Sequence, residues 1–141
     1  MSFELPPMAI EELPSGLRLL ALRRRGLPLF HARLSLPAGS SADPRGKEGL
    51  AQFTLDLLRR GTRRRDARGV DELIEGMGAS LMADCGSDES ALALTVPDEL
   101  RAQALEALLE VALEPAFADG EVASARRRAI WTSRPPSPPA R

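Results

Sequence analysis

Few of the residues that commonly carry chemistry are present in this 141-residue chain. Its single cysteine, Cys85, excludes an internal disulfide, a cysteine zinc knuckle and an iron–sulfur cluster. A single histidine, His31, leaves a Ser/His/Asp triad or a two-histidine metal site with at most one imidazole. Aromatic residues make up 4%, with no tyrosine, too few to build a stacking platform for single-stranded nucleic acid. Nineteen basic residues oppose twenty acidic ones, so a net charge of -1 supplies no chain-wide field for nucleic acid or an anionic membrane. No apolar stretch approaches the roughly 20 residues that span a bilayer. The start, Met1-Ser2-Phe3-Glu4-Leu5-Pro6-Pro7, has an acidic residue and two prolines where a signal peptide has a basic start and an apolar run. A cytoplasmic protein without nucleic-acid or membrane partners is the expectation.

What is present is one domain's worth of ordered patterning, with 43% hydrophobic and 28% charged residues. Met8 to Leu13 and Leu17 to Arg23 flank Pro14-Ser15-Gly16 and predict a hairpin. The run from Leu29 to Leu36 alternates, with Phe30, Ala32, Leu34 and Leu36 facing inward and His31, Arg33 and Ser35 outward. A polar loop from Pro37 to Lys47 leads to a helix starting near Glu48, where Leu50, Phe53, Leu57 and Leu58 share a face and Gly61 marks the stop. Leu55 falls on the opposite, polar side with Gln52, Asp56 and Arg59.

Val70, Leu73, Ile74 and Met77 predict a second helix ended by Gly78, and Ala79–Cys85 with Ser90–Val96 a second hairpin across Gly86-Ser87-Asp88-Glu89. Pro97-Asp98 opens a long helix that ends before Pro115, and Asp119-Gly120 starts the last one. Proline crowds the end, and residues 132–141 are expected to form a disordered tail behind a domain at 1–131. Strands and helices without regular βαβ alternation predict an α+β fold, helices packed on a largely antiparallel or mixed sheet.

Read on their own, the polar clusters offer little. His31 lies on a solvated strand face with no orienting partner, and Asp84, Cys85, Asp88 and Glu89 lack calcium-loop spacing. Arg59 to Arg68 holds six arginines against one aspartate. It reads as a solvated basic loop, with an anion or acidic partner as the functional alternative.

The segment Gly49-Leu50-Ala51-Gln52-Phe53-Thr54-Leu55-Asp56, followed by Gly61-Thr62, is more specific. It resembles the pitrilysin/insulinase metallopeptidase family, which includes mitochondrial processing peptidase and whose zinc helix opens Gly-Leu-Ala-His-Phe-x-Glu-His. Leu36-Pro37-Ala38-Gly39-Ser40 and Gly46-Lys47-Glu48-Gly49 upstream resemble the family's strand and Gly-Ser loop. Leu73-Ile74-Glu75-Gly76-Met77-Gly78-Ala79-Ser80-Leu81, Val96-Pro97-Asp98-Glu99-Leu100 and Glu114-Pro115-Ala116-Phe117 follow in family order. The resemblance covers Ile10 to Ile130 and implies one domain of a larger clamshell.

It also implies what is missing. The motif His-x-x-Glu-His needs two imidazoles one helical turn apart and a glutamate that activates metal-bound water. Gln52, Leu55 and Asp56 occupy those positions, and Thr132 the place of the family's third ligand, so zinc, the cofactor of active relatives, is not expected. No residue is assigned a catalytic, cofactor-binding or metal-binding role. The family's substrate-edge strand falls on Leu81, Met82, Ala83 and Asp84, which could still take a peptide through main-chain hydrogen bonds. Leu55 and Met82 are expected to be exposed.

The implied function is a catalytically inactive homologue, a non-catalytic subunit or fragment acting through contact with a catalytic peptidase subunit or a peptide, as a homo- or hetero-oligomer. Three alternatives stand beside it: a truncated or frameshifted product, residual zinc-dependent peptide hydrolysis with other ligands, and nucleic-acid binding through the arginine run.

Overall fold

A computed structural model describes residues 7–24 and 26–132, with side chains through Ala129. Of the tail predicted at 132–141, Thr132 belongs to the last helix, and residues 133–141 lie outside the described residues.

The chain opens with a hairpin of β1 (Met8–Glu12) and β2 (Arg18–Leu22), paired antiparallel with Ile10 opposite Leu20. Its turn closes through Gly16 N–H donating to Leu13 O at 2.8 Å and Leu13 N–H to Leu17 O at 2.9 Å. Gly16 sits at φ 82°, the left-handed position that a short hairpin loop of this kind demands. Every residue of both strands is exposed.

β3 (Leu29–Leu36), β4 (Met82–Cys85) and β5 (Ser90–Pro97) form a separate antiparallel sheet in the order β3-β5-β4. Phe30, Ala32 and Leu34 stand opposite Val96, Leu94 and Leu92, so the alternation read in β3 delivers one apolar face to the helices. β5 is central, paired along both edges, and buried along nearly its whole length.

The helices are α1 (Leu50–Leu58), α2 (Ala67–Gly76), α3 (Arg101–Leu113) and α4 (Asp119–Thr132). A single 3-10 turn, Asp98–Leu100, intervenes between Pro97 and α3. α1 and α3 lie against the sheet, α2 packs on α3, and α4 on α1. Leu55 and Leu58 from α1, Val70 and Ile74 from α2, and Ala104, Ala107, Leu108 and Val111 from α3 close one cluster over Leu92, Leu94 and Val96. The α+β architecture read from the sequence is the observed one. Among the described residues, no helix is long and apolar enough to cross a membrane.

Two expectations about exposed apolar residues part company here. Met82 is 66% exposed, as predicted, but Leu55 is 2% exposed and sits in the core. α1 touches β4 and β5 and also α4, so it buries more of its circumference than one stripe. Leu50, assigned to the buried face, is instead exposed. Packing accounts for Leu55, and no lost chemistry is needed to explain an apolar residue there.

Candidate functional site

α1 is set in place by the loop before it. Gly49 precedes the helix at φ 90°, and the Asp43 carboxylate accepts from Gly49 N–H at 2.6 Å and from Ala51 N–H at 2.8 Å. One side chain thereby satisfies two of the donors that a helix start leaves open. Glu48, expected inside the helix, lies just ahead of it. Hydrogen bonds from the Gly46 N–H and its own N–H hold its carboxyl below the usual carboxylate range.

The first half of the loop is fastened to the β4–β5 turn. Ser40 N–H and Ser41 N–H donate to Gly86 O and Ser87 O at 3.0 and 2.9 Å, and Ser90 Oγ donates to Ala38 O at 2.6 Å. A Cβ on Gly39 would stand 2.3 Å from Ser87 O, so this approach requires glycine. Strand β4 thus flanks α1, its inner edge paired with β5 and its outer edge unpaired among the described residues.

On the solvent side of α1, Gln52 Nε2 donates to Asp56 Oδ1 at 2.9 Å, and both residues are exposed. Leu55, between them in sequence, turns the other way into the core. The structure therefore brings Gln52 and Asp56 together and separates Leu55 from them. Thr132 ends α4, its side chain outside the described residues. One amide oxygen and one carboxylate already bonded to the amide do not fit a zinc ion, which prefers imidazole, thiolate or several carboxylates. Among the described residues, no three His, Cys, Asp or Glu side chains are grouped so as to hold a metal ion.

Of the four edge-strand candidates, Met82, Ala83 and Asp84 lie on β4, with Met82 and Asp84 exposed. Leu81 does not. It precedes the strand and is buried in the core, where it can hold no peptide. His31 lies on the exposed sheet face with Nδ1 3.0 Å from Thr95 Oγ1. Asp84 and Cys85 end β4, while Asp88 and Glu89 occupy the following turn, where Glu89 accepts from Arg33 at 2.7 Å.

The arginine run proves to be a knotted turn. Thr62, 4% exposed, donates its hydroxyl to Glu110 Oε1 at 2.7 Å and accepts from Arg64 N–H and Arg65 N–H, each at 3.1 Å. Arg65 Nε reaches the same Glu110 oxygen at 3.3 Å. Arg64 grips Glu114 with two bonds of 2.8 and 2.6 Å, which hold the Glu114 carboxyl below and the guanidinium above their ordinary ranges. Asp66 caps α2 through Gly69 N–H, and Arg68 pairs with Glu72. Arg59, Arg60 and Arg63 have no carboxylate partner among the described residues.

Sequence reasoning missed Asp43, because its cap arrives from outside the helix's own first turn. It also missed the burial of Thr62 and Glu110, since their spacing carries no local signal.

The arrangement is one α+β layer with α1 beside a free edge strand. The chain belongs to the insulinase family, peptidase family M16, whose model matches residues 28–134. It is similar to the crystal structure of a peptidase M16 inactive domain from Pseudomonas fluorescens, at 26% identity and a TM-score of 0.82 over 89% of this chain and 31% of that one. It shares its fold with a protease from Helicobacter pylori, at 18% identity and a TM-score of 0.86 over 92% of this chain and 31% of that one. The chain therefore spans about a third of the length of either. Among curated proteins, none matches.

Proposed function

We propose that this chain is a non-catalytic insulinase-family domain that works by contact, receiving an extended peptide or a segment of a catalytic peptidase subunit along the outer edge of β4. The observation that carries this reading is the exposed Gln52–Asp56 pair, bonded at 2.9 Å in the positions that resemble the family's two ligating imidazoles. Hydrolysis needs a metal-activated water and a base beside it. An amide, a carboxylate and a leucine turned into the core supply neither. Contact needs only what is left: unpaired main-chain groups on an edge strand, with Met82 and Asp84 as neighbours for alternate side chains. The inactive domain from Pseudomonas fluorescens supports the non-catalytic part of the reading.

Native mass spectrometry of the chain with added zinc, paired with a quenched-fluorescence peptide cleavage assay, tests it. The expected result is no retained zinc and no cleavage, with extended peptides binding and N-methylated versions binding at least about tenfold more weakly. One zinc per chain with chelator-sensitive cleavage would overturn it.

A further inference from the structure

Between α2, α3 and the arginine turn lies a groove of about 440 Å³, a volume within the range of small-molecule sites. Leu73 of α2 and Leu109 and Leu113 of α3 give it apolar walls. Its charges do not balance: Arg64 and Arg65 oppose Glu106, Glu110 and Glu114, which leaves one carboxylate in excess. Arg64 is taken up by Glu114 and Arg65 by Glu110, while Glu106 has no ion pair among the described residues. The excess is felt inside the groove. Beyond the bonds to Glu114, the charges of Glu110 and Glu106 add to what holds the Arg64 guanidinium above its ordinary range.

Glu110 points to a cation independently of that count. Its side chain is only 8% exposed, and Thr62 and Arg65 both reach the same oxygen, Oε1. Oε2 has no hydrogen-bond partner, yet no fully buried side-chain oxygen among the described residues lacks one. Oε2 therefore opens into the groove that Glu110 lines. Glu106 and Glu110 stand one helical turn apart, about 5–6 Å between Cβ atoms, so the three donors of one ammonium can serve both. A hard metal ion asks for more oxygens than this pair, and it would leave the leucine walls unused. We propose that the groove binds an alkylammonium ion, its head bridging Glu106 and Oε2 of Glu110 and its methylene stem lying along Leu73, Leu109 and Leu113. Two sources carry that chemistry, the lysine side chain of a polypeptide and a free aliphatic polyamine.

Methyl-detected NMR titration of the full chain with cadaverine, and separately with Nα-acetyl-lysine methylamide, at constant ionic strength is the test. Methyl shifts at Leu73, Leu109 and Leu113 should saturate with a dissociation constant of about 0.1–5 mM. Glu106→Gln should weaken binding at least about fivefold, with an unchanged urea midpoint, because that side chain is exposed and holds no ion pair. Glu99→Gln, which removes an exposed carboxylate outside the groove, should leave binding unchanged. Methylammonium, a head without a stem, should bind at least about tenfold more weakly than either compound. Affinity for the lysine derivative equal to or above that for cadaverine identifies a polypeptide side chain as the source, and a preference of at least about tenfold for cadaverine identifies a free polyamine. Shifts that fail to saturate, that appear equally at acidic residues outside the groove, or that are indifferent to Glu106→Gln would overturn the proposal.

Discussion

Removing the Thr62 hydroxyl isolates the bond on which the arginine turn depends. Thr62→Val keeps the shape and the Thr62 N–H bond to Arg65 O at 2.8 Å, but deletes the 2.7 Å donation to Glu110 and the acceptor shared by two amides. Glu110 is 8% exposed, so little water can replace the lost donor, and a hydrogen bond to a charged group contributes about 1.5–3 kcal/mol. The Arg64 and Arg65 amides lie among exposed residues and can recruit water, adding about 0.5–1 kcal/mol. The expected loss is about 3 kcal/mol. With a urea m-value of about 1.5 kcal/mol/M, the unfolding midpoint falls by about 2 M. Thr62→Ser, which keeps the hydroxyl and drops one methyl, should cost only about 1 kcal/mol. Equal midpoints for the valine and serine variants would refute the assignment. In a double-mutant cycle, Thr62→Val and Glu110→Ala should be non-additive, because each removes the same 2.7 Å bond.

Leu55→Ala should destabilise the fold by about 3 kcal/mol by leaving a cavity in the core, whereas Leu50→Ala should cost under about 1 kcal/mol, both read from urea midpoints. Equal costs would return Leu55 to the surface. The lowered Glu114 carboxyl stabilises the fold at pH values above the ordinary glutamate range near about 4.3. That contribution fades as pH falls through the folded-state value, where the group protonates and releases Arg64. Melting temperatures of the native chain and Glu114→Gln should therefore differ at neutral pH and converge in acid. A gap that persists undiminished to about pH 2 would show that the carboxylate's charge is not its source.

Much of the fold is legible in the sequence because it rests on local rules. Pro14-Ser15-Gly16 dictates its hairpin, the alternation from Leu29 to Leu36 its strand, and Gly78 the end of α2, each through backbone geometry confined to a few residues. Leu55 escapes such a reading because periodicity reports that a helix has an apolar side but not how many neighbours surround it. Leu55 and Leu58 share the core cluster with the sheet, while Leu57 and Ala125 of α4 are buried outside it, so two neighbours divide the apolar residues of α1. Leu81 escapes it for a related reason: a strand-like run gives no sign of which residue first joins the ladder. At the candidate site, the loss of both imidazoles is plain from a count of histidines. The Gln52–Asp56 bond is an i, i+4 contact that helical spacing permits. The role of Asp43 is hidden, because a cap reaching forward from a loop depends on how that loop is folded back.

The tethering of the loop before α1 decides where this domain can grow. Its first half cannot lengthen without tearing Ser40 and Ser41 from the 86–87 carbonyls, and nothing larger than glycine fits at 39. Asp43 cannot move away from the helix start it caps. Between those anchors, Pro44 to Lys47 is exposed, and its hydrogen bonds are local ones: Lys47 N–H to Pro44 O, Gly46 N–H to Glu48 and Leu50 N–H to Lys47 O. Extra residues inserted there would cost little, about 0.6 kcal/mol for each doubling of a flexible loop. That four-residue stretch is the natural port for a tag, a spectroscopic label or a grafted recognition segment, delivered at the mouth of α1 without disturbing either anchor.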